Sequence, residues 1–305
     1  MKIFKKKIKN GPKVGNLFGI KISSTSKAKV LEFVESNLQT KEKFYIVTPN
    51  PEIVLMATKD WALKKAIDNS TFAIPDGIGL AQAHKFLNFE EFNGHPLRLP
   101  IIFIQGMAVG LATIFNKKYL TDDLEIMKGR ELFLDILKIL DKRGSRVYLF
   151  GGEHGEQELA KVKLEAEYKD ITFKTHHKFP IYAKSGQPLN IEERKLHKSV
   201  MGDIKLFEPD FIFVAMTPPK QEKWVYWNFF KLNATGAMTV GGTYNFISGR
   251  LSVPPVWLEK IGLEWVWRLL TEPTRWRRIF NAFPVFPWKV FMYKVNLPLR
   301  GKLRK

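Results

Sequence analysis

Five short segments of this chain hold side chains suited to chemistry, and each follows an apolar run. Pro75-Asp76-Gly77-Ile78-Gly79 presents one carboxylate beside two glycines. Asp-Gly is a common turn, but at a strand end the Asp76 carboxylate could also act as a general base. Thr48-Pro49-Asn50-Pro51-Glu52 offers a hydroxyl and an amide held between prolines. The same residues read as a helix start, with Asn50 as N-cap and Pro51 in the first turn, and the two roles are compatible. Gly151-Gly152-Glu153-His154-Gly155 opens a helical pattern, so a phosphate could approach the helix amides. Gly241-Gly242 leads into Thr243-Tyr244-Asn245. Thr217-Pro218-Pro219-Lys220-Gln221-Glu222 offers Lys220 and Gln221 to a phosphate or a sugar, or forms the solvated first turn of a helix.

A sixth feature is the C-terminal tail. Arg268, Arg275 and Arg278 recur among Trp265, Trp267 and Trp276, and Phe283-Pro284-Val285-Phe286-Pro287-Trp288 follows. From Arg268 to Lys305 there are ten Lys or Arg and one acid, Glu272. Guanidinium forks suit phosphates and indoles suit a bilayer interface, so one segment could serve both. A basic helix with core aromatics and solvated arginines is the plain alternative.

Other chemistries lack their residues. There is no cysteine, which removes disulfides, thiolate metal sites and cysteine nucleophiles. There is no P-loop, no His-Glu-x-x-His and no Asp-x-Asp to hold a divalent metal. His176-His177, taken as strand neighbours, would point to opposite faces and make a poor metal pair. The glycine segments are not the dinucleotide fingerprint, so a dehydrogenase is excluded. No metal and no cofactor is expected.

The elements that must position these residues alternate. Candidate strands are Phe44–Thr48, Thr71–Ile74, Arg146–Phe150, Ile171–Thr175, Phe211–Ala215 and Ala237–Val240. Helical patterns lie between them at Glu52–Ile67, Glu131–Lys142, Gln157–Tyr168, Ile191–Phe207 and Gln221–Leu232. Alternation of this kind predicts an α/β fold: a Rossmann-like parallel sheet with helices on both faces. Such sheets bind ligands outside the carboxyl ends of their strands, where the five segments fall.

Two pieces stand outside the alternation. One is an insert at about 94–123, within which Leu99 to Asn116 runs 18 residues without a charge. It carries Gly106-x-x-x-Gly110 and is flanked by Arg98, Lys117 and Lys118. It reads either as a buried core helix or as a segment dipping into one leaflet, at the short limit for a full span. The other is the appendage. The expected division is an α/β domain over 1–253 and an aromatic, basic appendage over 254–305. The 305 residues carry a formal charge of +19, most of it at the two ends; Met1 to Gly15 alone holds six lysines and no acid. That implies a polyanionic partner, either an anionic membrane surface or nucleic acid. No nucleic-acid-binding fingerprint is present. No apolar stretch follows the N-terminal lysines, so no signal peptide is read. A homo-oligomer is left open.

Taken in order, the segments resemble the WecG/TagA/CpsF family of bacterial glycosyltransferases. The resemblance rests on T-P-N-P-E at Thr48–Glu52, P-D-G-I-G at Pro75–Gly79, F-G-G-x-x-G at Phe150–Gly155 and P-K-Q-E at Pro219–Glu222. It continues through V-G-G-T-Y-N-F-x-S-G at Val240–Gly249 and E-W-x-x-R-L-x-x-E-P-x-R-x-x-R at Glu264–Arg278. It implies metal-independent, inverting transfer of an N-acetylmannosamine-type sugar. The implied donor is a UDP-sugar and the acceptor a polyprenyl-diphosphate-linked GlcNAc, at the cytoplasmic face of the membrane. It makes Asp76 the base and places Thr48, Asn50 and Gln221 near the sugars. It sets Arg268, Arg275 and Arg278 over the diphosphate. The glycine pairs Gly151-Gly152 and Gly241-Gly242 are the expected nucleotide-binding backbone. Two positions depart from the family pattern: Ile126 stands where an arginine is usual, with Lys128 and Arg130 close by, and Asn245 stands where Asp is frequent. A basic nucleic-acid-binding α/β protein without enzymatic activity is the alternative.

Overall fold

The computed structural model describes residues 13–90, 96–152, 155–255, 257–258 and 264–297. Most of the N-terminal lysines, the first residues of the insert, Glu153 and His154, and the basic C-terminal end lie outside the described residues. So does the side chain of Arg275.

The chain opens with a hairpin, β1 (Lys13–Leu17) and β2 (Ile20–Ser24), which the alternation did not predict. Its turn is Phe18-Gly19, both with positive φ (54° and 78°). That is the backbone of a tight hairpin turn, which Asn-Gly usually supplies, so a phenylalanine there concealed it. Then come α1 (Lys27–Thr40), β3 (Phe44–Val47), α2 (Pro51–Ala57), α3 (Trp61–Asp68) and β4 (Phe72–Ala73). The helical pattern at Glu52–Ile67 is therefore two helices. Asp60 breaks it by accepting from the Leu63 N–H at 3.1 Å, a side-chain cap starting a second helix.

Next are α4 (Ile78–Asn88), α5 (Arg98–Phe115), α6 (Lys117–Thr121) and α7 (Gly129–Lys142). β5 (Arg146–Gly151), α8 (Glu156–Glu167), β6 (Thr172–Thr175), α9 (Ile191–Phe207), β7 (Phe211–Ala215), α10 (Lys220–Asn228), β8 (Gly236–Thr239) and α11 (Thr243–Ser248) follow. The tail forms α12 (Glu264–Thr271), α13 (Trp276–Phe280) and, after a kink at Phe283-Pro284, α14 (Phe286–Val295).

All six expected strands pair in one parallel sheet of order β4-β3-β8-β7-β5-β6. Both faces are covered, as parallel sheets require. Tyr45, Val47, Tyr148, Phe150, Ile212 and Val214 face one apolar cluster, and their strand neighbours Phe44, Ile46, Val147, Leu149, Phe211 and Phe213 face the other. α7 presents Leu132, Phe133, Ile136, Leu137 and Leu140 to the second cluster, one stripe at helical spacing. Gly236 has to be small, because a Cβ there would lie 2.4 Å from the Phe211 ring.

The winding places the loops. β3 and β4 build outward to one edge, β5 and β6 to the other, and the chain returns to fill the centre with β7 and β8. The loops after β3, β8, β7 and β5 therefore converge at the middle of the carboxyl edge, with the loop after β4 beside them.

α5 decides one of the two readings of the apolar insert. Only Ile102 and Val109 of its 18 residues are buried, so it is not a core helix. Phe103, Ile104, Met107, Leu111, Ile114 and Phe115 are exposed. Among the described residues it is the one helix long and apolar enough to cross a membrane.

Candidate active site

The loops after β3 and β4 are stitched together by backbone. Ile74 donates to the Val47 carbonyl at 2.8 Å, and Asp76 to that of Pro49 at 2.9 Å. Asp76 is half-buried and heads the turn into α4. Gly77 takes φ +97°, a conformation that a side chain would strain. Thr48 is buried and its hydroxyl donates to the Thr239 carbonyl at 3.2 Å, tying the β3 end to the β8 end. Asn50 caps α2, its Oδ1 accepting from Ile53 at 2.9 Å, which leaves Nδ2 as the group it can offer a ligand.

Gln221, 2% exposed, is a bridge. Its Oε1 accepts from the N–H of Gly241 at 2.9 Å and of Met216 at 3.4 Å, while Nε2 donates to Glu222 at 2.8 Å. It thus holds the loops after β7 and β8 in register, with one Nε2 hydrogen not used by these bonds.

The glycine pairs separate into two kinds. A Cβ at Gly151 would sit 2.3 Å from the Ala215 carbonyl oxygen, and one at Gly152 would sit 2.8 Å from Gln157 Oε1. Close packing against neighbours accounts for both. The helix they precede, α8, has Glu156 and Glu158 in its first turn, and buried Glu156 pairs with Arg250 at 3.0 Å. Carboxylates already occupy the end expected to take a phosphate, which makes it a weaker anion site than the sequence suggested. Gly241 is different: its φ is +54°, and a Cβ there would meet nothing within 4 Å. With Gly242 at the start of α11, this turn keeps an open face beside Thr48 and Gln221.

The tail reaches the site through two arginines. Arg278 Nε donates to both carboxylate oxygens of Glu52, at 2.8 and 3.1 Å. Glu52 lies in the same segment as Thr48 and Asn50. Glu222, 1% exposed, completes a charged group with them, and its Oε2 has no hydrogen-bond partner among the described residues. Burial pushes the Glu222 carboxyl up to about 7; Glu52 pushes the same way, while Gln221 and Arg278 oppose it. Arg268 lies over the Phe246 ring at 5.8 Å, and Arg130 lies over the same ring at 5.1 Å.

Of the two cations near Ile126, Arg130 is the one that shares a ring with Arg268. Ile126, at the usual arginine position, is partly buried against apolar core instead. Three residues on, Gly129 comes close enough to Thr48 that a Cβ would lie 3.4 Å from Oγ1, and Met127 donates to the Pro75 carbonyl at 3.1 Å. The loop thus packs against Thr48 and Pro75, and Arg130 just after it lies over the Phe246 ring, while Lys128 lies 3.8 Å from Glu131.

His176 and His177 lie past the end of β6 with rings stacked at 4.4 Å, not on opposite strand faces. Among the described residues no group of three or more His, Asp or Glu could hold a metal ion.

Comparison with known proteins identifies the family. The model of the Glycosyl transferase WecG/TagA/CpsF family matches residues 15–98 and 90–300. Proteins of Staphylococcus aureus strains NCTC 8325 and COL, each named N-acetylglucosaminyldiphosphoundecaprenol N-acetyl-beta-D-mannosaminyltransferase, are 27% identical over 279 residues, covering 90% of this chain and 91% of theirs. The same-named protein of strain MRSA252 is 26% identical over the same length. The alternative of a nucleic-acid-binding protein without enzymatic activity finds no support in either comparison. All five loops and the tail arginines lie inside the match, and the chain belongs to the WecG/TagA/CpsF glycosyl transferase family and is a glycosyltransferase.

Proposed function

We propose that the protein transfers an N-acetylmannosamine-type sugar from a UDP-sugar to a GlcNAc linked through diphosphate to a polyprenyl chain, in the synthesis of a cell-surface polymer. The observation that carries this reading is the convergence of Thr48, Asp76, Gln221 and the open Gly241 turn at one sheet edge, with Arg130, Arg268 and Arg278 beside them. The printed name of the relatives supplies the sugar and the acceptor.

The chemistry needs one base and a cationic cradle. The acceptor hydroxyl attacks the donor's anomeric carbon from the face opposite UDP. Its proton passes to the Asp76 carboxylate, the bond from the anomeric carbon to the phosphate oxygen breaks, and UDP leaves with the electron pair. One displacement inverts the anomeric centre. Negative charge grows on the leaving diphosphate, where arginines and backbone amides stabilise it without a metal. Thr48 and Asn50 orient the sugars, and Arg275 belongs with the tail cations that close over the diphosphate.

A lipid-linked acceptor puts the site at a membrane surface. Exposed apolar residues of α5 and the exposed Trp276, Phe280, Phe283 and Trp288 of the tail supply the contact, with lysines and arginines at the headgroups of the cytoplasmic leaflet. The test is product analysis with a panel of UDP-sugars and a soluble GlcNAc-diphosphate-lipid. Formation of a β-linked N-acetylmannosamine product is expected; transfer of other sugars only, or of none, overturns it.

A further inference from the structure

Beside the site, α4, α5 and the tail enclose an apolar groove that the transfer chemistry does not use. Gly79 and Phe86 of α4, Gly106 and Gly110 of α5, and Phe286 and Val290 of α14 line it. Its inner end touches the site: a Cβ on Gly79 would lie 3.0 Å from Pro51, the neighbour of Asn50, and Gly79 is three residues beyond Asp76. Gly110 and Phe283 of the lining are exposed. The three helices are fastened at the far end. Lys294 Nζ, fully buried, donates to the Phe86 carbonyl at 2.6 Å and to Gln105 Oε1 at 2.9 Å, while Arg98 donates to the Val295 carbonyl at 3.0 Å. Gln82 of α4 is hydrogen-bonded to Thr113 of α5 within the same packing.

We propose that this groove holds the first isoprene units of the acceptor's polyprenyl chain, leading it from the diphosphate at the sheet edge out to the bilayer along α5. The proposal rests on the acceptor class given above. Three features favour a prenyl chain over an ordinary acyl chain of the membrane. The lining includes Gly79, which closely approaches Pro51 beside the site, so a chain attached to the reacting head can enter the groove directly. Its walls are mostly carbon, with Gln82 the one polar side chain among the lining residues, which suits a chain with no polar group after the diphosphate. The two glycines leave room for branching methyls: a Cβ at Gly110 would meet nothing within 4 Å, and one at Gly106 would only touch Phe86 at 3.6 Å.

The test uses the full-length protein in vesicles and a short prenyl diphosphate carrying a photoreactive group on its second isoprene. Adducts mapping to α4, α5 and α14, competed by unlabelled prenyl diphosphate, are the expected result. Gly106→Leu/Gly110→Leu fills the groove with side chains that suit a helix and should cut labelling by about tenfold or more, the discrimination that methylene-sized misfits give in apolar pockets. Adducts elsewhere, labelling undiminished in a double variant whose melting matches wild type, or equal labelling by a photoreactive phospholipid would overturn the proposal. The competed adduct map of the wild type decides the matter if the variant fails to fold. Sugar transfer by the wild-type protein to a short-chain acceptor is scored separately. Transfer with adducts elsewhere sinks the groove alone, and adducts in the groove without transfer sink the acceptor reading alone.

Discussion

At the scale of the residue, the structure gives two carboxylates different work. Asp76 stands half-buried at the sheet edge, positioned by the backbone bond to Pro49 and the Gly77 turn. Asp76→Asn keeps the shape and removes the proposed base. Turnover should drop by about 10²–10⁴-fold with UDP affinity little changed, and near-normal turnover would remove Asp76 from the mechanism. Glu222 is buried under Gln221 and has its carboxyl raised to about 7 from an ordinary 4.5. A raised acid favours the folded state while protonated. Its contribution is therefore complete below about pH 4.5 and is lost as pH climbs to about 7. Glu222→Gln keeps the acceptor for Gln221 and cancels the titration. Denaturant melts should show the variant more stable than wild type at pH 8, by up to about 3 kcal/mol, and the gap closing toward pH 4.5. A constant gap across that range would mean that Glu222 does not titrate there.

At the scale of the element, Arg278 ties the tail to the sheet edge through Glu52. The Arg278–Glu52 pair is partly buried, with side chains 29% and 11% exposed. It lies between a surface bridge worth little and a buried pair that is costly to break. A double-mutant cycle of Arg278→Ala and Glu52→Gln should give a coupling of about 1–2 kcal/mol, with faster proteolysis of the tail in each single variant. Strictly additive effects would show that the pair does not hold the tail. Much of these elements was legible in the sequence, because strand-helix alternation and strand-end loops are local patterns. The β1–β2 hairpin was not, since Phe-Gly is an uncommon turn pair. The division of Glu52–Ile67 into α2 and α3 was not either, since the apolar spacing continues through the Asp60 cap.

At the scale of the whole molecule, α5 and the tail both expose large apolar side chains. α5 exposes Phe103 and Leu111, 59% and 52% accessible, and the tail adds Trp276 and Trp288. Phe103→Lys/Leu111→Lys should leave the melt nearly unchanged, because exposed positions tolerate such changes within about 0.5 kcal/mol. Sedimentation with anionic vesicles should fall sharply, since lysine is disfavoured within hydrocarbon. Undiminished sedimentation would place the membrane contact elsewhere.

The sequence by itself determined the parallel sheet, the five loops at its carboxyl edge and the resemblance to one glycosyltransferase family. Periodicity and motif spacing are properties of neighbouring residues, and they survive without knowledge of the fold. Only the tertiary structure decided what distant residues do together. It sets Arg278 on Glu52, places Arg130 and Arg268 on one phenylalanine ring, and turns Gln221 into a bridge between loops. It also decided that the apolar insert faces outward. An 18-residue helix whose one charged residue is its first, Arg98, is equally suited to a core or a lipid surface. Which one it meets depends on whether other elements cover it, and here none of the described elements covers its outer face.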